Sequence, residues 1–225
     1  MVRGGEDVSR TKVSDRDKGW IKPRHGKERD ILPSYHLIVT EGEKTEPFYF
    51  KALKQAVNGR FPGRIEIEIH GEGYNTLGLL ERAERYVHRA PNRPEHVWLV
   101  YDRDDFPADD FDNTEKSCLS LSNEDTTYHA LWSNQCVELW FLLHFEYMHS
   151  DILRESYSSK LTKHLGRKYE KNQADIYDRL RPRLDTAIQN ARQLINEYDG
   201  NQPPSQMAPA TKVYEIFEML ERYIQ

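Results

Sequence analysis

Glu41, Asp102, Asp104 and Glu138 are the residues of this chain whose type and placement suit phosphoryl chemistry. Glu41 closes the apolar run Tyr35-His36-Leu37-Ile38-Val39-Thr40 and is followed at once by Gly42. Asp102-Arg103-Asp104-Asp105 closes a second run, His96-Val97-Trp98-Leu99-Val100-Tyr101. The segment from 102 to 112 carries six aspartates (Asp102, Asp104, Asp105, Asp109, Asp110 and Asp112) against the single base Arg103. Alone, such a cluster repels phosphate. A hard divalent cation reverses the sign, because Mg²⁺ binds through one or two carboxylates, keeps several waters and leaves positions open for substrate phosphate. Bound metal can acidify water and stabilise a leaving oxygen. Glu138 is the third element: Phe141, Leu142 and Phe145 lie three, four and seven residues on, so the carboxylate sits among apolar side chains. A buried charge normally neutralises or finds a partner, and a metal, or a cation beside one, would serve.

For these acids to meet, the runs before them must be neighbouring strands. Residues 35–40 and 96–101 are β-branched or aromatic and apolar almost throughout, as central parallel strands are. Ile65-Glu66-Ile67-Glu68-Ile69 alternates strictly, which places it nearer an edge. Between the first two strands Phe50, Leu53 and Val57 recur at helical spacing, with Thr45 a plausible N-cap, Pro47 in the first turn and Asn58-Gly59 as the stop. Leu77, Leu80, Ala83 and Val87 mark a second helix. Strand, helix, strand, helix, strand predicts a parallel sheet with crossover helices. In such sheets ligands bind at the carboxyl ends of the strands, where Glu41 and Asp102 fall. A helix near 114–121, a fourth strand at Tyr128–Trp132 and a buried helix from Gln135 to Phe145 follow. Residues 151–165, 172–181, 184–198 and 211–224 read as helices, with a Pro- and Asn-rich loop at 199–210.

Composition bounds the rest. Hydrophobic residues make up 37% of the 225 and charged residues 31%, with a net charge of −5. No run approaches the ~18 apolar residues that span a bilayer, and Met1-Val2-Arg3-Gly4-Gly5-Glu6 is not followed by a secretory h-region. Cys118 and Cys136, the only cysteines, lack CxxC spacing, which fits a reducing cytoplasm and disfavours structural zinc. Residues 1–30 mix nine Lys/Arg with six Asp/Glu and show no apolar period, as a charged, mobile arm would. The expected division is that arm, an α/β core over 31–149 and a helical region over 150–225. Lys160–Lys171 holds five Lys/Arg against one acid. Lys163, Arg167 and Lys168 from this run, with Lys44 and Arg103, are the cations that would meet substrate phosphate.

Each feature also has a plainer reading. Acids are common where a strand gives way to a Gly turn, and three acids in four residues are often a solvated loop. Glu138 could be a paired structural acid, Lys44 a solvated lysine and the basic run a solvated face. His144 suits a core histidine better than a ligand. Gly71-Glu72-Gly73 lacks the spacing of a dinucleotide site.

Three blocks together resemble a known family. Val39-Thr40-Glu41-Gly42-Glu43-Lys44-Thr45-Glu46-Pro47-Phe48-Tyr49-Phe50, Val100-Tyr101-Asp102-Arg103-Asp104-Asp105-Phe106 and Ser133–Phe145 are similar, in that order, to the blocks of RloB-like proteins, in which proline is commoner than Gln135. That family resembles the Toprim core of topoisomerases, bacterial primases and overcoming-lysogenization-defect nucleases. The resemblance implies Glu41 as general acid/base or metal ligand, Asp102 and Asp104 as Mg²⁺ (or Mn²⁺) ligands, and Glu138 as a further ligand or orienting group. It also implies a Toprim-like α/β fold, a place in restriction or abortive-infection phage defence, and an AAA-type ATPase partner. The expected activity is cytoplasmic, metal-dependent cleavage of RNA or DNA, with no membrane contact. Topoisomerase and primase activities would need domains for which the chain lacks room. A non-catalytic toxin or adaptor docking the ATPase, and a receiver-like phospho-acceptor, are the alternatives from other classes.

Overall fold

The computed structural model describes residues 34–69, 76–103 and 107–224, with the side chains of 67–69 and 77 excepted. The charged arm 1–30, Gly71-Glu72-Gly73, Asp104 and Asp105 therefore lie outside the described residues. Contacts divide the chain after Ile31, and everything below concerns the unit that begins at Leu32.

Strands β1 (His36–Thr40), β2 (Ile65–Ile69), β3 (His96–Asp102) and β4 (Thr127–Asn134) are parallel, and a short fifth strand, β5 (Ala210–Thr211), pairs antiparallel to β4. The order across the sheet is β2-β1-β3-β4-β5, so the alternating second strand is indeed an edge. Helices α1 (Thr45–Asn58), α2 (Thr76–Arg89) and α3 (Ala108–Leu121) connect the parallel strands, and α4 (Glu138–Leu143), α5 (Arg154–Leu165), α6 (Ile176–Leu180), α7 (Leu184–Asn196) and α8 (Tyr214–Ile224) follow β4. The class is mixed α/β with a helical C-terminal part, as the pattern of runs predicts.

The apolar runs are explained by burial on both sides. Leu37, Val39, Val97, Leu99, Tyr101, Ala130 and Trp132 face one way and pack with Leu79, Leu80 and Ala83 of α2 and Phe111 and Cys118 of α3. Ile38, Trp98, Val100 and Leu131 face the other way, into a core shared by α1, α4 and the C-terminal helices. Successive residues point to opposite faces, so a strand buried on both cannot alternate. α4 has all six residues buried. Trp140 anchors it: the indole Nε1 donates to the Tyr49 hydroxyl (2.9 Å) and the ring stacks on Phe217 (centroids 5.4 Å apart). That one side chain ties α4 to α1 and α8.

Three local expectations are corrected. Thr45 is the first residue of α1, not its cap; the Lys44 carbonyl accepts from Phe48 N (3.0 Å), and no side chain caps the helix. α3 begins at Ala108 rather than 114, so Asp109, Asp110 and Asp112 belong to a helix and not to a metal-binding loop. Acids suit that position because the N-terminal end of a helix carries partial positive charge. β5 takes the last residue of the expected loop and the first of the expected final helix, which instead begins at Tyr214; the Thr211 hydroxyl meets that of Ser133 at 2.9 Å.

Candidate metal centre at the strand ends

The chain runs from β1 to β2 on one side of the sheet, then returns to β3 on the other side of β1. Between β1 and β3 the connections diverge, leaving the crevice in which open α/β sheets bind ligands. Glu41 and Asp102 stand on either lip of it. Glu41 N extends the ladder by donating to Val100 O (3.0 Å), and Asp102 N donates to the Glu41 carboxylate at Oε2 (3.3 Å). Two acids 61 positions apart are thus adjacent because their strands are. Asp102 is only 7% exposed. Arg103 N continues the pairing to Ser133 O (2.9 Å), and its guanidinium lies over the Phe111 ring, 5.8 Å from the centroid.

Glu138 reaches the same end of the sheet from the first turn of α4 and is 3% exposed. The peptide bond Asn134–Gln135 that leads out of β4 is cis. Gln135 Nε2 donates to both oxygens of Asp151 (3.0 and 2.9 Å), pinning this turn to the segment that precedes α5. The buried Glu138 carboxylate has partners within the chain: the Tyr169 hydroxyl donates to it at 3.1 Å and Lys171 Nζ lies 4.0 Å away. Cys136 links the two acidic positions. Burial pushes its thiol well above the usual range, and the charges of Glu138 and Asp102 push it further. Tyr169 is driven the same way by burial, then by Glu138, with Cys136 and Glu46 contributing.

Several residues of the site are not apparent from sequence. Arg154, the first residue of α5, brings Nη2 to 3.9 Å from Asp102 Oδ2. Tyr169 and Lys171 come from the basic run; Tyr169 turns inward to Glu138, and Lys171 stays exposed with its Nζ 4.0 Å from the same carboxylate. Glu46 is 7% exposed, and a β-carbon on Gly42 would stand 2.4 Å from its Oε2, so its carboxylate packs directly over the Glu41-Gly42 turn. Helical spacing carries a signal for it: Glu46 precedes Phe50, Leu53 and Val57 by four, seven and eleven residues, on the buried face of α1.

The other expected residues divide. Lys44 is exposed at the start of α1, and Lys163 is exposed in the last turn of α5. Arg167 is held by Asp175 and Gln173, and Lys168 pairs with Glu170 (3.2 Å). Asp112 is not at the strand ends; it accepts from Ser205 N and from Ser205 Oγ, both at 2.7 Å. His144 is a core residue: Nδ1 contacts Trp140 O at 2.9 Å, and burial lowers its pKa to about 4.

Among the described residues no three His, Cys, Asp or Glu side chains converge closely enough to cage a metal ion, and the expected ligand Asp104 lies outside them. Glu41 and Asp102 nonetheless fit a hard cation that takes one or two carboxylate oxygens and otherwise keeps water. No helix among the described residues is long and apolar enough to cross a membrane.

Compared with known proteins, the sequence has no detectable relative among curated ones. The family model described as RloB-like protein matches residues 36–220, a span that opens at β1, takes in Glu41, Asp102 and Glu138, and closes within α8. With the greater part of its length matched, and with all three acids inside the match, the chain belongs to the RloB-like family.

Proposed function

We propose that this protein is a Toprim-like, divalent-metal-dependent nuclease that acts as an effector in bacterial anti-phage defence. The observation that carries the reading is the placement of Glu41 against Asp102 at the switch point of a parallel sheet, with buried Glu138 beside Cys136 at the same end. Glu41 and Asp102, with Asp104, are the residues that would hold Mg²⁺ or Mn²⁺. When bound, the ion would supply Lewis acidity and lower the pKa of water. Arg154 holds Asp102 in place, and Tyr169 with Lys171 fixes the Glu138 carboxylate as an orienting group. Lys44 and Arg103 flank the crevice where a phosphodiester would lie. The defence role and the AAA-type ATPase partner rest on the family resemblance, and a cytoplasmic location rests on the two lone cysteines.

The test is incubation of labelled tRNA, other RNA and DNA with Mg²⁺ or Mn²⁺, comparing the wild type with Glu41→Ala and Asp102→Ala. Cleavage of one substrate class by the wild type, lost in both variants, supports the reading. Cleavage that survives both contradicts it.

A second reading is a non-catalytic adaptor that docks the ATPase. It is favoured by the internal partners of the acids, since Arg154 and Lys171 already offset Asp102 and Glu138. Under it, Glu41→Ala leaves the protein's effect on phage-infected cells unchanged.

A further inference from the structure

Most of the run expected to be basic, Lys160–Lys171, is neutralised in the fold: Lys160 pairs with Glu146, Arg167 with Asp175, Lys168 with Glu170 and Lys171 with Glu138. The end of α5 is built differently. The His164 ring, in the last turn of that helix, stacks on Phe145 with centroids 4.9 Å apart and planes 9° from parallel. The guanidinium of Arg183, at the N-cap position of α7, lies over the same Phe145 ring, 5.1 Å from its centroid. His164 and Arg183 are exposed and Phe145 is half-buried, so the stack opens to solvent. Lys163, exposed beside His164, makes no ion pair among the described residues.

Packing accounts for part of this. Phe145 rests on the core beneath it. Glu146 answers two of the neighbouring groups, with Lys160 Nζ at 2.9 Å and His164 Nε2 at 3.3 Å. Arg183 is not accounted for. A cation at the N-terminal end of a 13-residue helix faces the positive end of its dipole. Arg183 also acts on buried His144, whose pKa is lowered first by burial and then by this charge. It makes no ion pair among the described residues. Asp185, two residues on, lines a separate groove with Arg181, Leu184 and Ile224. A guanidinium kept against the local field, over a ring and not a carboxylate, retains N–H donors for an anion. Aromatic rings and arginine planes hold the splayed bases of single strands, and cations beside them take the phosphates. His164 supplies the ring, and Arg183 with Lys163 the charge. His164 lies ten residues along α5 from Arg154, whose Nη2 is 3.9 Å from Asp102. That is about 15 Å at 1.5 Å per residue, a separation that a strand of several nucleotides covers.

We infer that the His164–Phe145–Arg183 stack is a platform for a nucleobase of a single nucleic-acid strand, with Arg183 and Lys163 on the flanking phosphates. The choice of nucleic acid as the ligand rests on the nuclease reading, but the binding needs neither metal nor cleavage.

The test is fluorescence anisotropy in EDTA across a salt series, with the full chain and three labelled probes: a mixed-sequence single strand, the same strand made abasic, and a duplex. The variants are His164→Ala, His164→Phe and Arg183→Ala, each with its melting temperature checked against the wild type. The wild type is expected to hold the base-bearing strand more tightly than the abasic one. His164→Ala should lose roughly 5- to 140-fold in affinity, the range for removing one ring from a base stack, and with it the preference for bases. His164→Phe, which restores a ring, should keep both. Arg183→Ala should flatten the slope of log affinity against log salt by about 0.7, the share of one single-strand phosphate contact. Equal binding of base-bearing and abasic strands by the wild type overturns the inference, as does no binding at low salt or a preference for duplex. So does a folded His164→Ala that binds as the wild type does, or an unchanged slope in folded Arg183→Ala. The abasic comparison needs no variant, so it stands even where a substitution unfolds the chain. Because EDTA suppresses metal chemistry, this result and loss of cleavage in Glu41→Ala are read independently.

Discussion

Tyr169 and Asp112 show how differently two polar side chains can be used in one fold. The Tyr169 hydroxyl is the hydrogen-bond donor to a Glu138 carboxylate that is 3% exposed. Removing that donor leaves a buried acceptor short of a partner, which costs about 1–3 kcal/mol. Tyr169→Phe should therefore lower stability by that amount in urea unfolding, while Glu138→Gln, which keeps a carbonyl acceptor, should lower it less. Equal losses would mean that the charge of Glu138, and not its hydrogen bond, holds the pair together. Asp112 has no part in the proposed chemistry. Its two bonds to Ser205 fasten α3 to the loop before β5, and hydrogen bonds to a charged group are worth about 1.5–3 kcal/mol. Asp112→Ala should lose stability on that scale yet leave metal affinity untouched. A lost metal site in this variant would put Asp112 back among the ligands.

At the scale of elements, the turn between β1 and α1 is the tightest join in the site. Gly42 has no room for a β-carbon beside the Glu46 carboxylate. Because the obstructing atoms are the far end of one flexible side chain, Gly42→Ala should cost only about 1 kcal/mol, the low end of crowding a packed site. The cost should shrink in a Glu46→Ala background, where the obstructing group is gone. A double-mutant cycle measures this directly; additive costs would show that Glu46 does not crowd the turn. The four parallel strands were legible because each is buried on both faces or, for β2, alternates at an edge. α4 was legible through its unbroken apolar character. β5 was not, since two residues carry no period. The start of α3 was hidden because acids that favour a helix N-terminus also read as a solvated loop. Glu41 and Asp102 could be placed at neighbouring strand ends from pattern alone, but Arg154, Tyr169 and Lys171 reach the site through the packing of α5 and the segment after it, which local sequence does not encode. Glu46 did carry a helical signal, obscured by its charge.

Over the whole molecule, the two ends of the sheet differ in chemistry. The carboxylates gather where the strands end, and histidines gather where they begin. His36 Nδ1 accepts from Trp98 Nε1 (2.8 Å), His96 Nδ1 lies 3.0 Å from His129 Nε2, and Trp98 stacks on His129 with centroids 3.8 Å apart. Burial, with His96 and His129 beside it, lowers the pKa of His36 to about 3, and burial lowers that of His144 to about 4. In the unfolded chain both take protons near pH 6.5, so between about 4 and 6.5 the unfolded state binds more of them. Stability should accordingly be full above pH 6.5 and fall as the pH drops towards 4, each histidine adding up to about 1.4 kcal/mol per pH unit. Half-buried Glu215, its pKa raised by burial to about 7, pulls the other way, but the histidines outnumber it. Urea midpoints measured from pH 4.5 to 7 should therefore climb, and His36→Gln should flatten the climb; a flat wild-type profile would contradict this balance.

Glu41 and Asp102 are proposed to hold a divalent cation between them. Calorimetric titration of the purified full chain with Mn²⁺ tests it without requiring substrate, partner or turnover. The expected result is a binding event in the wild type and in Asp112→Ala that disappears in Glu41→Ala and in Asp102→Ala, both of which remain folded. Binding that persists unchanged in those two variants, or that is absent from the wild type, would contradict it.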